Sequence, residues 1–146
     1  MVKMKLQRSF ESNSLQDTQQ VGQEIASLIT VPSCIYLKAG MGAGKTTLTK
    51  SVIQTLGYNG NVTSPTYNLI QEYPIDDGMV YHMDLYRLVD PEELSFLALE
   101  DLWSEKSIFL IEWPEKGEGF LLPASHEITI EKQKQSNSRL IDFIVY

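Results

Sequence analysis

The chain has 146 residues, enough for one domain with a real hydrophobic core and too few for two ordinary domains. Its hydrophobic fraction of 42% and aromatic fraction of 10% are those of a globular protein and exclude a disordered chain. A net charge of −7 argues against broad, direct binding to nucleic-acid phosphates, because such binding rests on clusters of cations. No apolar run approaches the ~20 residues that cross a bilayer, and residues 1–7 lack the apolar stretch of a secretory signal. We therefore expect a cytoplasmic protein with no membrane role and one domain over residues 1–146.

The first third of the chain predicts a helix, a strand and a second helix around a glycine-rich loop. Ser14 and residues 17–18 offer caps for the first helix, and Pro32 stops it. The apolar run Cys34–Leu37 is typical of a strand covered on both faces. The second helix follows the glycine-rich loop and ends at Gly57. Strand, loop and helix in this order are what a phosphate-binding loop requires.

The middle of the chain predicts a hairpin and a third helix. Segments 67–73 and 79–86 have the pattern of two antiparallel strands joined through residues 76–78. Asp90 is placed to cap a helix, with a proline in the first turn and Glu93 positioned for a capping box. Its predicted buried stripe consists of Leu94, Leu97, Ala98 and Leu102.

The last third predicts three more strands. The apolar run 108–111 indicates another strand with both faces covered, and it ends abruptly at Glu112. Segments 127–131 and 140–146 predict a strand pair around the polar loop 132–138. Together these elements predict an α/β fold, a single-domain P-loop NTPase with a mixed central sheet flanked by helices.

The segment 39–47 carries the strongest functional signal. Small residues there let backbone N–H groups face phosphate oxygens at the positive end of a helix dipole. Lys45 is expected to reach the terminal phosphates of ATP, and Thr46 to coordinate Mg²⁺. The predicted nucleotide contacts in the loop are Met41, Gly42, Ala43, Gly44, Lys45, Thr46 and Thr47. The strict pattern has glycine where this chain has Ala39, and an ordinary glycine-rich turn is the competing interpretation.

Two carboxylates follow apolar strands and are candidates for the metal site. Asp84 is the expected second anchor for hydrated magnesium, although a turn or cap residue is the alternative. Glu112 could bind the metal directly, orient the attacking water or pair with a basic group, and the sequence leaves these roles open. His82 lies on the same strand face as Asp84 and is interpreted as structural.

Three further features are candidates for nucleotide contacts. Trp113 either packs against the nucleotide or fills core. The hydroxyl-rich segment 62–66 lies where such folds keep a loop that senses the terminal phosphate, or it is a plain connecting turn. Thr18 is interpreted first as a helix cap and second as a nucleotide contact.

The combination of motifs resembles the TsaE family, bacterial ATPases required to make threonylcarbamoyladenosine in tRNA. The matching stretches, in family order across nearly the whole chain, are Gly42–Thr47, Gly60–Tyr67, Val80–Arg87, Asp90–Leu94 and Ile111–Pro114. The chain departs from the family at residues 39–41, where Gly-Asp-Leu is usual, and at Ala98, where glycine is common.

The resemblance implies that the chain hydrolyses ATP slowly and acts together with two partner proteins, TsaB and TsaD. It is then expected to contact tRNA only indirectly, through that complex. On this interpretation the chain does not transfer the threonylcarbamoyl group itself. Lys45, Asp84 and Glu112 then match the family's catalytic positions, Trp113 matches a functional position, and Thr18 matches a position near the base.

A small-molecule kinase is the main alternative, because the same loop serves both phosphoryl transfer and hydrolysis. Such enzymes usually carry a basic lid, and here Arg87 and Arg139 stand alone in the sequence. A GTPase switch is a weaker alternative because the chain has no Asn-Lys-x-Asp segment to recognise guanine.

Overall fold

The computed structural model describes residues 3–40, 42–65, 69–134 and 136–146. Its strands are β1 (Leu6–Ser12), β2 (Ser33–Ala39), β3 (Ile70–Ile75), β4 (Gly78–Asp84), β5 (Ser107–Glu112), β6 (His126–Lys132) and β7 (Arg139–Val145). Its helices are α1 (Leu15–Ser27), α2 (Lys45–Thr55) and α3 (Leu99–Leu102), with 3₁₀ helices over Pro91–Leu97 and Pro114–Gly117. No helix in these ranges is long and apolar enough to cross a membrane.

The seven strands form one mixed sheet in the order β1-β7-β6-β2-β5-β4-β3. β2 runs parallel to both β5 and β6, and β4 runs parallel to β5. The pairs β3–β4 and β6–β7 are antiparallel, as predicted, and β1 adds an antiparallel edge strand to β7. The predicted α/β fold with a mixed central sheet is thus confirmed. Because β2, β4 and β5 run in one direction, their carboxyl ends meet at the same edge of the sheet.

Burial on both sheet faces explains the continuous apolar run of β5, all six residues of which are buried. Ile108 and Leu110 belong to a cluster that includes the buried side chains of α1 and α2. Phe109 and Ile111 belong to a second cluster on the opposite face, with Leu94 from the first 3₁₀ helix. Burial of each such side chain stabilises the fold by about 1.5–3 kcal/mol.

Helix α1 begins at a serine cap and packs closely against α2. Ser14 Oγ accepts a hydrogen bond from Asp17 N at 3.0 Å, so Ser14 is the cap. The predicted capping role of Thr18 is wrong: Thr18 lies inside the first turn, where its hydroxyl bonds the buried Ser12 Oγ at 2.6 Å. Gly22 allows the close approach, since a Cβ there would lie 2.6 Å from Ser51 Cβ of α2.

The segment after Asp90 differs from the predicted single helix. Asp90 does cap it, accepting a hydrogen bond from Glu92 N at 3.0 Å, but the turns that follow are 3₁₀. They end at Ala98, which adopts a left-handed conformation (φ 49°, ψ 54°) and separates them from the short α3. This break interrupts the predicted apolar stripe, so that Leu94 is buried while Leu97 and Leu102 are only partly buried.

Strand bounds also differ by a few residues from the sequence pattern. The first hairpin strand starts no earlier than Ile70 among the described residues, and residues 67–68 of the predicted strand lie outside them. The second ends at Asp84 rather than residue 86, because Asp84 Oδ1 accepts a hydrogen bond from Tyr86 N at 3.0 Å and turns the chain.

Candidate functional site

The glycine-rich loop joins the end of β2 to the first residue of α2. Gly42 and Gly44 have φ values of 72° and 99°, which favour glycine over residues with a Cβ. Gly44 occupies the N-cap position of α2. Within the described residues, no side chain accepts a capping hydrogen bond from the first turn of this helix. The first N–H groups of α2 therefore have no side-chain cap, the arrangement with which helix N-termini bind phosphate. Ala39 is extended at the end of β2, so the missing first glycine introduces no backbone strain.

Lys45, Glu112 and His82 form a chain of contacts beside this loop. Lys45 Nζ lies 3.7 Å from Glu112 Oε1. The other carboxylate oxygen, Glu112 Oε2, lies 2.6 Å from His82 Nε2. Glu112 and His82 are buried, with residue exposures of 4% and 2%. The alternative in which Glu112 pairs with a basic group is thus realised, but its partner is the lysine of the phosphate loop.

The carboxylates are brought together by strand register. Asp84 is the last residue of β4, Glu112 is the last residue of β5, and the two are directly paired across the parallel strands. Leu37 of β2 flanks Glu112 on the other side. The carboxylates thus lie at the carboxyl edge of the sheet, where open α/β sheets bind ligands. Asp84 also ends its strand through the bond to Tyr86, which confirms the turn role, and its role at a metal site stays a prediction.

A serine from the hydroxyl-rich segment reaches the predicted metal-binding hydroxyl. Thr46 Oγ1 and Ser64 Oγ lie 3.1 Å apart. The backbone just before Ser64 is held by Tyr73, whose hydroxyl donates to Thr63 O at 2.9 Å and accepts from Thr63 N at 3.2 Å. The segment is therefore more than a plain connecting turn. Thr66, the last residue of the predicted sensing loop, lies outside the described residues.

Trp113 packs against the core, one of the two interpretations made for it, and its contact with a nucleotide stays a prediction. Its backbone is left-handed (φ 58°), and its ring centroid lies 4.8 Å from Lys45 Nζ. The same ring lies 5.1 Å from that of Tyr86 and packs at the margin of the second core cluster. The cation contact places Trp113 over the lysine of the phosphate loop.

A cleft of about 790 Å³ joins these groups. The predicted site residues that line it are Gly42, Gly44, Lys45, Thr46, Asp84, Glu112 and Trp113. Three other predicted site residues do not line the cleft. Ala43 is buried, Thr47 faces a groove between α1 and α2, and Thr18 bonds Ser12. Met41 lies outside the described residues.

Two arginines that stand alone in the sequence line the same cleft. Arg139, the first residue of β7, donates from Nε to Ala43 O at 3.1 Å and from Nη2 to Gly42 O at 3.4 Å. It therefore holds the phosphate loop from outside, a role that sequence reasoning missed. Arg139 is 96 and 97 residues from the two loop residues that it contacts and follows a polar turn, so no local pattern indicated it. Arg87 is exposed at the rim, as are Tyr86 and the apolar Leu15.

The oxygen groups in the cleft are compatible with a partly hydrated magnesium ion. Within the described ranges, no three His, Cys, Asp or Glu side chains are placed to hold a metal by themselves. Mg²⁺ usually takes one or two carboxylates, substrate phosphates and water rather than an all-protein cage. A hydroxyl from Thr46 and the carboxylates of Asp84 and Glu112 meet that requirement beside a phosphate loop.

The sheet order, the uncapped helix after β2 and the carboxylates at the sheet edge define an α/β protein of the P-loop class. A model of the family "Threonylcarbamoyl adenosine biosynthesis protein TsaE" matches residues 12–141. The chain therefore belongs to the TsaE family.

Individual relatives agree with this placement. The TsaE protein of Haemophilus influenzae is 53% identical over 97 residues, which are 66% of this chain and 61% of that protein. The TsaE protein of Rickettsia felis is 33% identical over 144 residues, covering 90% of this chain and 84% of that protein. The crystal structure of Bacillus subtilis YdiB superposes with a TM-score of 0.77 at 25% identity, covering 99% of this chain and 88% of that one.

Proposed function

We propose that this chain is a magnesium-dependent ATPase of tRNA threonylcarbamoyladenosine biosynthesis that acts on a TsaB–TsaD complex and does not transfer the threonylcarbamoyl group itself. The observation that carries the proposal is the convergence of Lys45 and Glu112 at 3.7 Å, beside the uncapped start of α2. A cation for phosphate and a carboxylate for water or metal then share one cleft. Family membership supplies the biosynthetic context.

Each residue of the cleft has a chemical role in this proposal. The N–H groups at the start of α2 would bind phosphate oxygens, and Lys45 would exchange its contact with Glu112 for the terminal phosphates. Thr46 and Asp84 would hold magnesium, which when bound neutralises charge on the phosphates. Glu112, released from Lys45, would orient the attacking water and accept its proton. Arg139 would keep the loop backbone in shape.

The cleft also suggests how nucleotide could control a partner. Ser64 and Trp113 line the cleft beside Thr46 and Lys45, so contacts to phosphate or metal would change the surface around them. A net charge of −7 disfavours direct retention of tRNA. A partner complex that recognises this surface would therefore bind ATP and ADP states differently.

The catalytic part is tested by ATP turnover across a magnesium titration. Glu112→Ala should lower turnover most, and Asp84→Ala should weaken the response to magnesium more than nucleotide binding. Glu118→Ala and Asp77→Ala are matched controls, since both carboxylates are exposed and lie outside the cleft. Unchanged magnesium dependence in both cleft variants would return Asp84 and Glu112 to purely structural roles. Phosphate captured by an added metabolite, rather than released, would favour the kinase alternative.

The partner part is tested by affinity for a TsaB–TsaD complex with ATP, with ADP and without nucleotide. Thr46→Ala serves as the metal-deficient variant. We expect the three nucleotide states to differ in the parent protein and to converge in this variant. Equal affinities in all states of the parent would exclude the switch, and absent binding would exclude the partner role while leaving the ATPase proposal intact.

A further inference from the structure

His82 is the buried histidine behind the candidate site, and its ring faces a carboxylate. It is 2% exposed, so solvent and ligands in the cleft do not reach it. Side chains alternate across a strand, which puts His82 on the same face of β4 as Asp84. Across the parallel pair with β5, His82 is opposite Leu110, two residues before Glu112. From there its Nε2 contacts Glu112 Oε2 at 2.6 Å.

The hydrogen bonds around the ring favour one tautomer. A carboxylate only accepts, so the 2.6 Å contact requires the proton on Nε2. Nδ1 is buried and has no hydrogen-bond partner within the described residues. An unpaired N–H at Nδ1 would be a buried donor without an acceptor, whereas a bare lone pair costs less. The arrangement is that of an imidazole that donates to Glu112 from Nε2.

This bond divides the two oxygens of Glu112 between two tasks. Oε2 is engaged by His82 inside the protein, and Oε1 faces Lys45 at the cleft. A glutamate has three side-chain torsions, and the bond to His82 restricts them so that Oε1 stays directed at the cleft. Partners of this kind behind a reacting carboxylate or metal ligand typically change activity by about 10- to 100-fold.

We propose that His82 is a positioning residue for ATP turnover. By donating a hydrogen bond from Nε2 to Glu112 Oε2, it keeps the other oxygen, Oε1, directed at the place in the cleft where water or metal would bind. The inference rests on the proposed ATPase function. It replaces the purely structural role that the sequence suggested for His82. The histidine is buried and contacts Glu112, so its effect on turnover would pass through Glu112.

Two substitutions separate positioning from simple core packing. The amide nitrogen of His82→Gln can reach the place of Nε2, whereas that of His82→Asn is one methylene shorter and cannot. We expect His82→Asn to lower kcat by about 10- to 100-fold with KM within about twofold, and His82→Gln to stay within about fivefold of the parent. His126→Leu is the control, because the other histidine of the chain is also buried but lies away from the cleft.

Equal kcat in parent and His82→Asn, or equal losses in the Asn and Gln variants, would overturn the inference. A parent protein without ATP turnover would instead contradict the proposed function. The hydrogen bond is then tested independently by ¹⁵N NMR of the two imidazoles, with His126→Leu for assignment. We expect His82 as the Nε2–H tautomer, with a proton signal that moves in Glu112→Gln. An Nδ1–H tautomer or an unmoved signal would exclude the contact.

Discussion

Lys45 Nζ lies 3.7 Å from Glu112 Oε1, so the lysine at the start of α2 is paired with the carboxylate at the end of β5. Both side chains are largely shielded, with exposures of 13% and 6%. Attraction between them is stronger there than at a fully solvated surface. The pair keeps Lys45 directed along the cleft and compensates the charge of Glu112.

Replacement of Lys45 by alanine should therefore affect turnover more than folding. The loss of a charged contact to the transferring phosphates is expected to cost about 3 kcal/mol in kcat/KM for ATP, or about 100-fold. Glu112 keeps His82 as a partner, so the protein should remain folded by circular dichroism. Parent-like hydrolysis in the purified variant would show that the loop does not bind the reacting phosphates.

Removal of Arg139 should loosen the phosphate loop. Arg139→Met keeps most of the side-chain volume and loses the bonds to Ala43 O and Gly42 O. A charged hydrogen bond contributes about 1.5–3 kcal/mol, so we expect the Kd for an ATP analogue to rise by about tenfold or more. Arg8→Met removes the same charge from the exposed β1 and should leave the Kd unchanged. If both substitutions raised the Kd equally, the loss of affinity would come from net charge and not from the bonds of Arg139 to the loop.

Substitution of Gly22 should reverse the usual preference of helices for alanine. Replacing glycine by alanine inside a helix normally raises the free energy of unfolding by up to about 1 kcal/mol. Here the new Cβ would lie 2.5 Å from Ser51 Oγ and 2.6 Å from Ser51 Cβ, and separating α1 from α2 should cost about 1–3 kcal/mol. Urea denaturation of Gly22→Ala should show a net loss, partly restored by adding Ser51→Gly. A gain in stability would contradict the close helix contact.

Ala98→Gly should stabilise the protein. The left-handed conformation of Ala98 strains a residue with a Cβ by about 1–2 kcal/mol, and glycine would relieve this strain. Glycine also has more conformational freedom in the unfolded chain, which lowers the free energy of unfolding by about 0.5–1 kcal/mol. We expect a net gain of up to about 1 kcal/mol in urea denaturation. Ala124→Gly, at a residue without positive φ, should lose stability instead. Losses of equal size in both variants would argue against the strained conformation of Ala98.

Stability should fall with pH below 6.5 because of His126. Burial lowers the pKa of this imidazole below its ordinary 6.5, so the unfolded chain binds the proton more readily than the folded protein. Its contribution is fully present above pH 6.5 and is lost as the pH falls through the lower folded pKa. Urea midpoints should therefore decrease from pH 7 to pH 5, less steeply in His126→Gln. Parallel profiles for parent and variant would exclude His126 as the cause.

Local patterns predicted much of the fold. The apolar runs of β2 and β5 indicated strands buried on both faces, and turn residues located the pairs β3–β4 and β6–β7. The position of Asp84 and Glu112 at the ends of apolar strands was also enough to bring them to one edge, because parallel strands carry their terminal residues there. The 3₁₀ turns after Asp90 escaped prediction, since a cap and an apolar period do not show that Ala98 will turn left-handed.

The sequence by itself determined the phosphate loop, its helix and the carboxylates at the strand ends, because each depends on residues close together in the chain or on the direction of one strand. Only the tertiary structure decided that Arg139 holds the loop, that Thr18 bonds Ser12, and that His82 donates to Glu112. Those contacts depend on strand order and side-chain reach across the sheet. The hydrogen bond between His82 and Glu112 exists because β4 and β5 pair in one register, a relationship between segments 30 residues apart that neither segment specifies alone.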